Sequence, residues 1–165
     1  MGNLKDEIKQ ERPFHSVHEQ ALLNLIRTAD SVNRAVEKMI RPFGVTSTQY
    51  NALRILRGVH PQGLTCSEIG DRMIAAAPDI TRLVARLKKL GLVRQHRDPR
   101  DRRILWTRIS AAGLKLLGEM DPTIERGPVE LFGHLSGKEL DELIVLLEKA
   151  RQASGGTNPP DCEGK

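Results

Sequence analysis

Residues Leu64–Ser110 read LTCSEIGDRMIAAAPDITRLVARLKKLGLVRQHRDPRDRRILWTRIS, and the fold turns on how this stretch is divided. Thr65 and Glu68 stand three residues apart. At that spacing a threonine hydroxyl and a glutamate carboxylate can each satisfy a backbone N–H that a helix start leaves unpaired. A short helix is expected from about Cys66, with Ile69 and Met73 turned inward. Pro78 and Asp79 suit the first turn of a second helix. Proline lacks only an N–H that has no partner there, and an aspartate complements the positive end of the helix dipole. Ile80, Leu83, Val84, Leu87 and Leu90 then recur at helical spacing, and Gly91 supplies a left-handed stop. Thr81, Arg82, Ala85, Arg86, Lys88 and Lys89 fall on the opposite face. An apolar stripe backed by basic residues suits a helix that packs on a core with one side and enters a DNA groove with the other.

After the glycine, Leu92, Val93 and Arg94 begin a strand, and Ile104–Ile109 form a second one rich in strand-favouring residues. Between them lie Arg97, Asp98, Pro99, Arg100, Asp101, Arg102 and Arg103. A hairpin tip carrying four arginines cannot be core, and it suits phosphates or the narrow minor groove, where negative potential is concentrated. The stretch is thus expected to be a helix-turn-helix followed by a two-stranded wing.

Outward from this unit, apolar residues from Val17 to Ile40 fall at three- and four-residue steps, predicting a helix of about seven turns over His15–Ile40. Pro42 and Gly44 end it, and Thr46 with Gln49 opens another helix through Tyr50, Leu53 and Leu56 to Gly58. The segment HPQG turns the chain towards Leu64, expected to pair singly with the wing. Ser110 should cap a helix that bends at Pro122 and resumes through Ile124, Val129 and Leu131. Ser136 and Glu139 make a third capping box, opening a helix with Leu140, Leu143, Ile144, Leu146 and Leu147. Those residues are more numerous than a lone surface helix needs, and pairing between subunits is the economical explanation. The glycine- and proline-rich end, SGGTNPPDCEGK, carries no apolar pattern and is expected to be disordered.

The 165 residues carry a net charge of +5 and are 39% hydrophobic but only 3% aromatic, so the core must be largely aliphatic and helical. From Pro78 to Arg108 there are ten basic and three acidic residues, whereas Glu119–Ala150 holds three basic and eight acidic. One part attracts a polyanion while another repels it. No apolar run approaches the ~20 residues needed to cross a bilayer, and MGNLKDEIKQERPF is too polar for a signal peptide. A cytoplasmic protein with no membrane partner is expected. There is no phosphate-cradling glycine loop, nucleophile elbow or metal-hydrolase helix motif, so no enzyme, cofactor or metal is expected. His15 and His18 would share one helix face, but no neighbouring Cys or acidic pair completes a zinc set.

The segments LTCSEIGDRM, PDITRLVARLKKLGLV and DRR, the last followed by a strand and ISAAG, resemble the multiple antibiotic resistance regulator (MarR) family of transcription factors over Val17–Ala150. Trp106 departs from the resemblance, standing in the second wing strand where aliphatic residues are usual. The resemblance implies a mainly α fold with a small β-wing, a winged helix-turn-helix plus N- and C-terminal dimerisation helices. The corresponding segments are a flexible N-terminus (1–14), a dimerisation helix (15–44), the DNA-binding domain (45–110), C-terminal dimerisation helices (111–153) and a disordered tail (154–165). It further implies a homodimer that binds double-stranded DNA at a pseudo-palindromic operator, acts as a repressor and is released by a small aromatic or phenolic effector.

The candidate DNA contacts are Pro78, Asp79, Thr81, Arg82, Arg86, Lys88 and Lys89 on the recognition helix, with Arg100, Asp101, Arg102 and Arg103 on the wing. An arginine on that helix can read guanine O6 and N7, while the lysines near its end suit phosphates. The wing motif points to Asp101 and Arg103 as the pair that shapes the tip. His15, His18, Arg27, Tyr50 and Arg54 are the candidate effector residues. Besides an adaptor that keeps the fold but turns its basic face to an acidic protein partner, two other readings stand beside this one. The first is a sequence-independent architectural protein, for which the arginines supply only counterion release. The second is a redox-responsive regulator using Cys66, expected at a helix N-terminus where the dipole lowers a thiol pKa; Cys162 falls in the tail.

Overall fold

Each helix of the central lobe, residues 45–110, starts where a side chain closes the first turn. In the computed structural model, which describes residues 3–153, Gln49 N–H donates to the Thr46 hydroxyl and Thr46 N–H donates to Gln49 Oε1, at 3.2 and 2.9 Å. This reciprocal pair opens α3 (Ser47–Gly58). Thr65 and Glu68 do the same for α4 (Cys66–Asp71), with N–H bonds of 3.3 and 2.8 Å. Both boxes lie where the spacing placed them. Met73 falls beyond the end of α4 and is half-buried, so only Ile69 of the expected pair is a helical core residue.

Among the described residues, two α-helices precede that lobe and two follow it. The N-terminal segment, expected to be flexible, contains a single helical turn, α1 (Leu4–Glu7), whose Leu4 is buried. The long helix α2 spans Val17–Ile40 and is capped by Ser16, which accepts from Glu19 N–H. His15 lies before it, its N–H bonded to the Glu19 carboxylate, so His15 and His18 do not share a helix face as expected. A 3₁₀ turn over Arg41–Phe43 and Gly44 at φ +75° end the helix.

The wing consists of β1 (Val93–Arg97) and β2 (Leu105–Ile109), antiparallel with Val93 opposite Ile109 and Arg97 opposite Leu105. The first strand begins at Val93 rather than Leu92 and takes in Arg97, which the sequence reading assigned to the turn, and the second begins at Leu105 rather than Ile104. Leu64 adds a one-residue bridge to Thr107 through two backbone bonds of 2.9 and 2.8 Å, the single pairing that the turn at HPQG implied.

From Ser110 the chain enters α6 (Ala111–Phe132), which continues through both Pro122 and Pro128. The bend expected at Pro122 does not break the helix into two. Leu117, Met120 and Gly127 are buried and α6 packs on both α2 and α3, so tertiary packing outweighs the lost N–H bonds. Gly127 sits where a Cβ would collide with the Met39 sulfur, marking a close approach of α6 to α2. The last helix, α7 (Gly137–Ala153), begins at the predicted Ser136–Glu139 box, with Ser136 N–H donating to the Glu139 carboxylate at 2.8 Å.

One core joins these elements. Ile40 of α2, Leu53 and Leu56 of α3, Ile69 of α4, Val84 and Leu87, and Leu117 and Met120 of α6 are fully buried and contiguous. Burying an aliphatic side chain contributes roughly 1.5–3 kcal/mol, and this cluster is what holds the central lobe against α2 and α6. By contrast, Leu22, Leu25 and Ile26 of α2, Val129 of α6 and Ile144, Val145 and Leu146 of α7 are exposed. The expected disordered tail, 154–165 with Cys162, lies outside the described residues.

Candidate nucleic-acid interface

The second helix of the turn, α5, spans Ile80–Lys89. Leu83, Val84 and Leu87 are buried, while Thr81, Arg82, Ala85, Arg86, Lys88 and Lys89 are exposed, the division that the periodicity predicted. Its ends differ from expectation. Asp79 is the N-cap rather than a first-turn residue, its carboxylate accepting Arg82 N–H at 2.7 Å, and Pro78 precedes the cap. The carboxylate is thereby engaged by its own helix. Leu90 is not on the buried stripe but is 52% exposed, because the helix closes there. Gly91 takes φ +74°, with its N–H on Lys88 C=O (2.9 Å) and Leu92 N–H on Leu87 C=O (3.0 Å). This Schellman arrangement satisfies the last carbonyls and turns the chain into β1.

Two side chains lock α5 and its neighbours in place. Asn51 of α3 is buried, and its Oδ1 accepts Ile74 N–H at 2.9 Å, holding the turn between α4 and α5. Ser110 is the N-cap of α6, accepting Gly113 N–H at 3.1 Å, and its hydroxyl donates to Gly91 C=O at 2.7 Å. The end of the recognition helix is thus tied to the start of α6.

At the wing tip, Asp101 Oδ1 accepts Arg103 N–H at 2.9 Å and the Arg103 Nε–H at 3.3 Å. The Arg103 side chain remains 93% exposed. Three residues that sequence reasoning left out of the site complete the tip. Arg97 donates to Arg102 C=O at 2.7 Å. Asp98 Oδ1 accepts Arg100 N–H and Asp101 N–H at 2.8 and 3.1 Å, and its Oδ2 accepts the Trp106 indole N–H at 2.9 Å. The Trp106 bond, followed by the two backbone bonds, holds the Asp98 carboxyl below its ordinary pKa of 3.8. An aspartate directly before Pro99 was the available signal, since that pair favours a turn closed by the carboxylate. The side chains of Arg100 and Arg102 make no hydrogen bond or ion pair among the described residues and stand exposed.

A cleft of about 480 Å³ lies between the start of α3 and α5, bounded by Glu37, Thr46, Ser47, Pro78, Arg82 and Arg86. Glu37 of α2 accepts Ser47 N–H at 3.0 Å across it. The five candidate effector residues are not gathered into one site. His15 and His18 are exposed near the start of α2, and Arg27 pairs with Glu7 of α1 at 3.5 Å. Tyr50 and Arg54 belong to α3, next to the Arg57–Asp121 ion pair of 2.9 Å that links α3 to α6. Burial pushes the Tyr50 phenol up, opposed by Arg54 and Arg57.

Cys66 is the first residue of α4, yet its thiol is raised rather than lowered, because desolvation outweighs the hydrogen bond from Thr81. That corrects the expectation of a dipole-activated thiol. Among the described residues no three His, Cys, Asp or Glu side chains gather to hold a metal, and no helix is long and apolar enough to cross a membrane.

Known proteins share this arrangement. Residues 43–104 match the model of the MarR family. A MarR transcription factor from Planctomyces limnophilus is 41% identical, with 82% of this chain and 98% of that one covered and a TM-score of 0.65. The transcriptional regulator YkoM of Bacillus subtilis is 28% identical over 141 residues, covering 83% of this chain and 90% of that protein. The fold also matches Bordetella bronchiseptica BpsR, whose DNA binding is regulated by 6-hydroxynicotinic acid, at 24% identity and a TM-score of 0.70 over 80% of this chain and 98% of that one. A capped basic helix, an arginine-tipped wing and a 41% identical relative together place the chain in the MarR family of DNA-binding, winged helix-turn-helix transcription regulators.

Proposed function

We propose that this regulator is a repressor that binds a pseudo-palindromic operator as a homodimer and releases it on binding a small molecule. The observation that carries the reading is the division of α5, with Leu83, Val84 and Leu87 anchored in the core and Thr81, Arg82, Arg86, Lys88 and Lys89 held outward. Arg82 and Arg86 read base edges in the major groove, and Lys88 and Lys89 meet phosphates. Asp79 and Pro78 set the start of the helix. Arg100, Arg102 and Arg103 reach the flanking minor groove from the wing, with Asp101 shaping the loop beneath them.

Dimerisation falls to residues 15–44 and 111–153. Exposed Leu22, Leu25 and Ile26 of α2 and Ile144, Val145 and Leu146 of α7 form apolar surface that a monomer leaves in water. A two-fold axis between subunits then sets half-sites about one helical turn apart. For the effector, the regulation of BpsR by an aromatic acid supports a small aromatic or phenolic ligand. Tyr50 and Arg54 are the candidates at the junction of α3 with α6, where the Arg57–Asp121 pair joins lobe to dimerisation helix. A ligand there acts by preferring one spacing of the two recognition helices.

Selection of bound sequences from a random duplex pool, at roughly physiological salt so that non-specific binding is suppressed, tests the reading. An enriched inverted repeat is expected. A flat pool with retained binding would replace it with sequence-independent architecture.

A further inference from the structure

The wing carries a second fastening besides the Asp101–Arg103 pair, and it uses the chain's single tryptophan. Asp98 leaves β1 and Trp106 lies in β2, opposite His96 in the register. The Asp98 carboxylate takes three donors, two from the tip backbone at Arg100 and Asp101 and one from the Trp106 indole across the hairpin. Backbone bonds from Asp98 N–H to Ile104 C=O (2.9 Å) and from Ile104 N–H to Asp101 C=O (3.0 Å) close the same loop. The carboxylate therefore joins the path of the tip backbone to the far strand. That path decides where the unpaired heads of Arg100 and Arg102 project.

We propose that Asp98 and Trp106 are positioning residues for DNA binding, pre-setting the wing tip so that Arg100 and Arg102 meet the minor groove without an ordering step at the moment of contact. The inference rests on the reading of the wing as a DNA contact. A seven-residue loop, 98–104, with five charged side chains samples many arrangements when unfastened, and fixing it in the free protein removes that entropy from the binding step. The indole N–H can donate and cannot accept, so its partner must be the carboxylate rather than an arginine. An aliphatic residue at 106 could pack on the hairpin but could not hold Asp98.

The test measures affinity of the full-length chain for the selected duplex and for a random duplex, with hydroxyl-radical footprints of the former. Trp106→Phe keeps an aromatic surface and removes the donor. Asp98→Asn keeps one acceptor for the tip backbone and sets an amide N–H against the indole N–H. Each is expected to bind the selected duplex about fivefold more weakly, losing protection of the flanking minor grooves while keeping protection of the central major grooves. Arg102→Ala, which weakens the unaltered chain, should add little in the Trp106→Phe background, because an unpositioned arginine has less to lose. Unfolding midpoints should stay within those of the unaltered chain.

Unchanged affinity and full flank protection in both variants would overturn the proposal. So would a loss spread evenly over the footprint with a parallel fall in stability, which is what a merely structural role gives. Should the unaltered chain bind no duplex at all, the reading of the wing as a DNA contact falls with it, an outcome distinct from normal binding by both variants.

Discussion

Ser110→Ala removes one hydroxyl and two hydrogen bonds. The serine is 7% exposed, so water cannot replace what is lost. As N-cap of α6 it accepts Gly113 N–H, a contribution of about 1 kcal/mol. As a donor to Gly91 C=O it satisfies a carbonyl at the end of α5, worth about 1 kcal/mol more. The sum is about 2 kcal/mol, and because the two bonds share one oxygen the whole falls on a single substitution. With a urea slope of roughly 2 kcal/mol per molar, typical of small domains, the midpoint should drop by about 1 M. Urea unfolding followed by circular dichroism, at one fixed protein concentration because dimerisation would link stability to concentration, reads this directly. Ser110→Thr retains the hydroxyl and should recover most of the loss. A loss for Ser110→Ala below about 0.5 kcal/mol, the range of ordinary surface changes, would refute the idea that this hydroxyl ties the recognition helix to α6.

Arg82→Ala should cost about 1–3 kcal/mol on the selected duplex and little on a random one, whereas Lys89→Ala should weaken both alike and lower the salt slope by about one; parallel losses for the two variants in filter binding would contradict the division between base and phosphate contacts. Leu146 is 63% exposed on α7, and Leu146→Glu should shift the chain from dimer to monomer in sedimentation while leaving helix content unchanged; a retained dimer would place the interface elsewhere. The Glu68 carboxyl is held below its ordinary value of 4.5, first by Thr65 N–H and then by the Thr65 hydroxyl. A folded pKa below the unfolded one means that its contribution is present above about 4.5 and fades as pH falls through the folded value. Stability measured between pH 6 and pH 3 should therefore decline less steeply in Glu68→Gln than in the unaltered chain, and equal slopes would count against the box as a source of acid sensitivity.

Short-range chemistry was legible before any tertiary contact was known. Each capping box spans three residues, and the caps at Thr46, Thr65 and Ser136 all stand where Ser or Thr and a Glu or Gln share that interval. The buried face of α5 follows from apolar residues at helical steps, and its stop follows from a glycine at φ +74°. The basic face opposite, and so most of the candidate site, comes from the same periodicity. Asp79 was misplaced by one position because an aspartate is favoured both at the N-cap and in the first turn, and only the backbone path separates the two.

What needed the tertiary structure were bonds between residues far apart in the chain or across the hairpin. Ser110 as a cap could be read from its neighbours, but its bond to Gly91 spans nineteen positions and exists only because β1 and β2 return the chain. The Arg57–Asp121 pair, sixty-four apart, and the hold of Asn51 on Ile74, twenty-three apart, likewise depend on α3 packing against α6 and α4. Pro122 reads locally as a bend between two helical stretches, yet with Leu117, Met120 and Gly127 buried α6 runs through it as one helix. Trp106 stood out in the sequence, but its partner did not. Local rules act through a few backbone torsions and so are written in short windows of sequence, whereas a partner for an indole N–H is decided by which strand lies opposite and how far it has twisted.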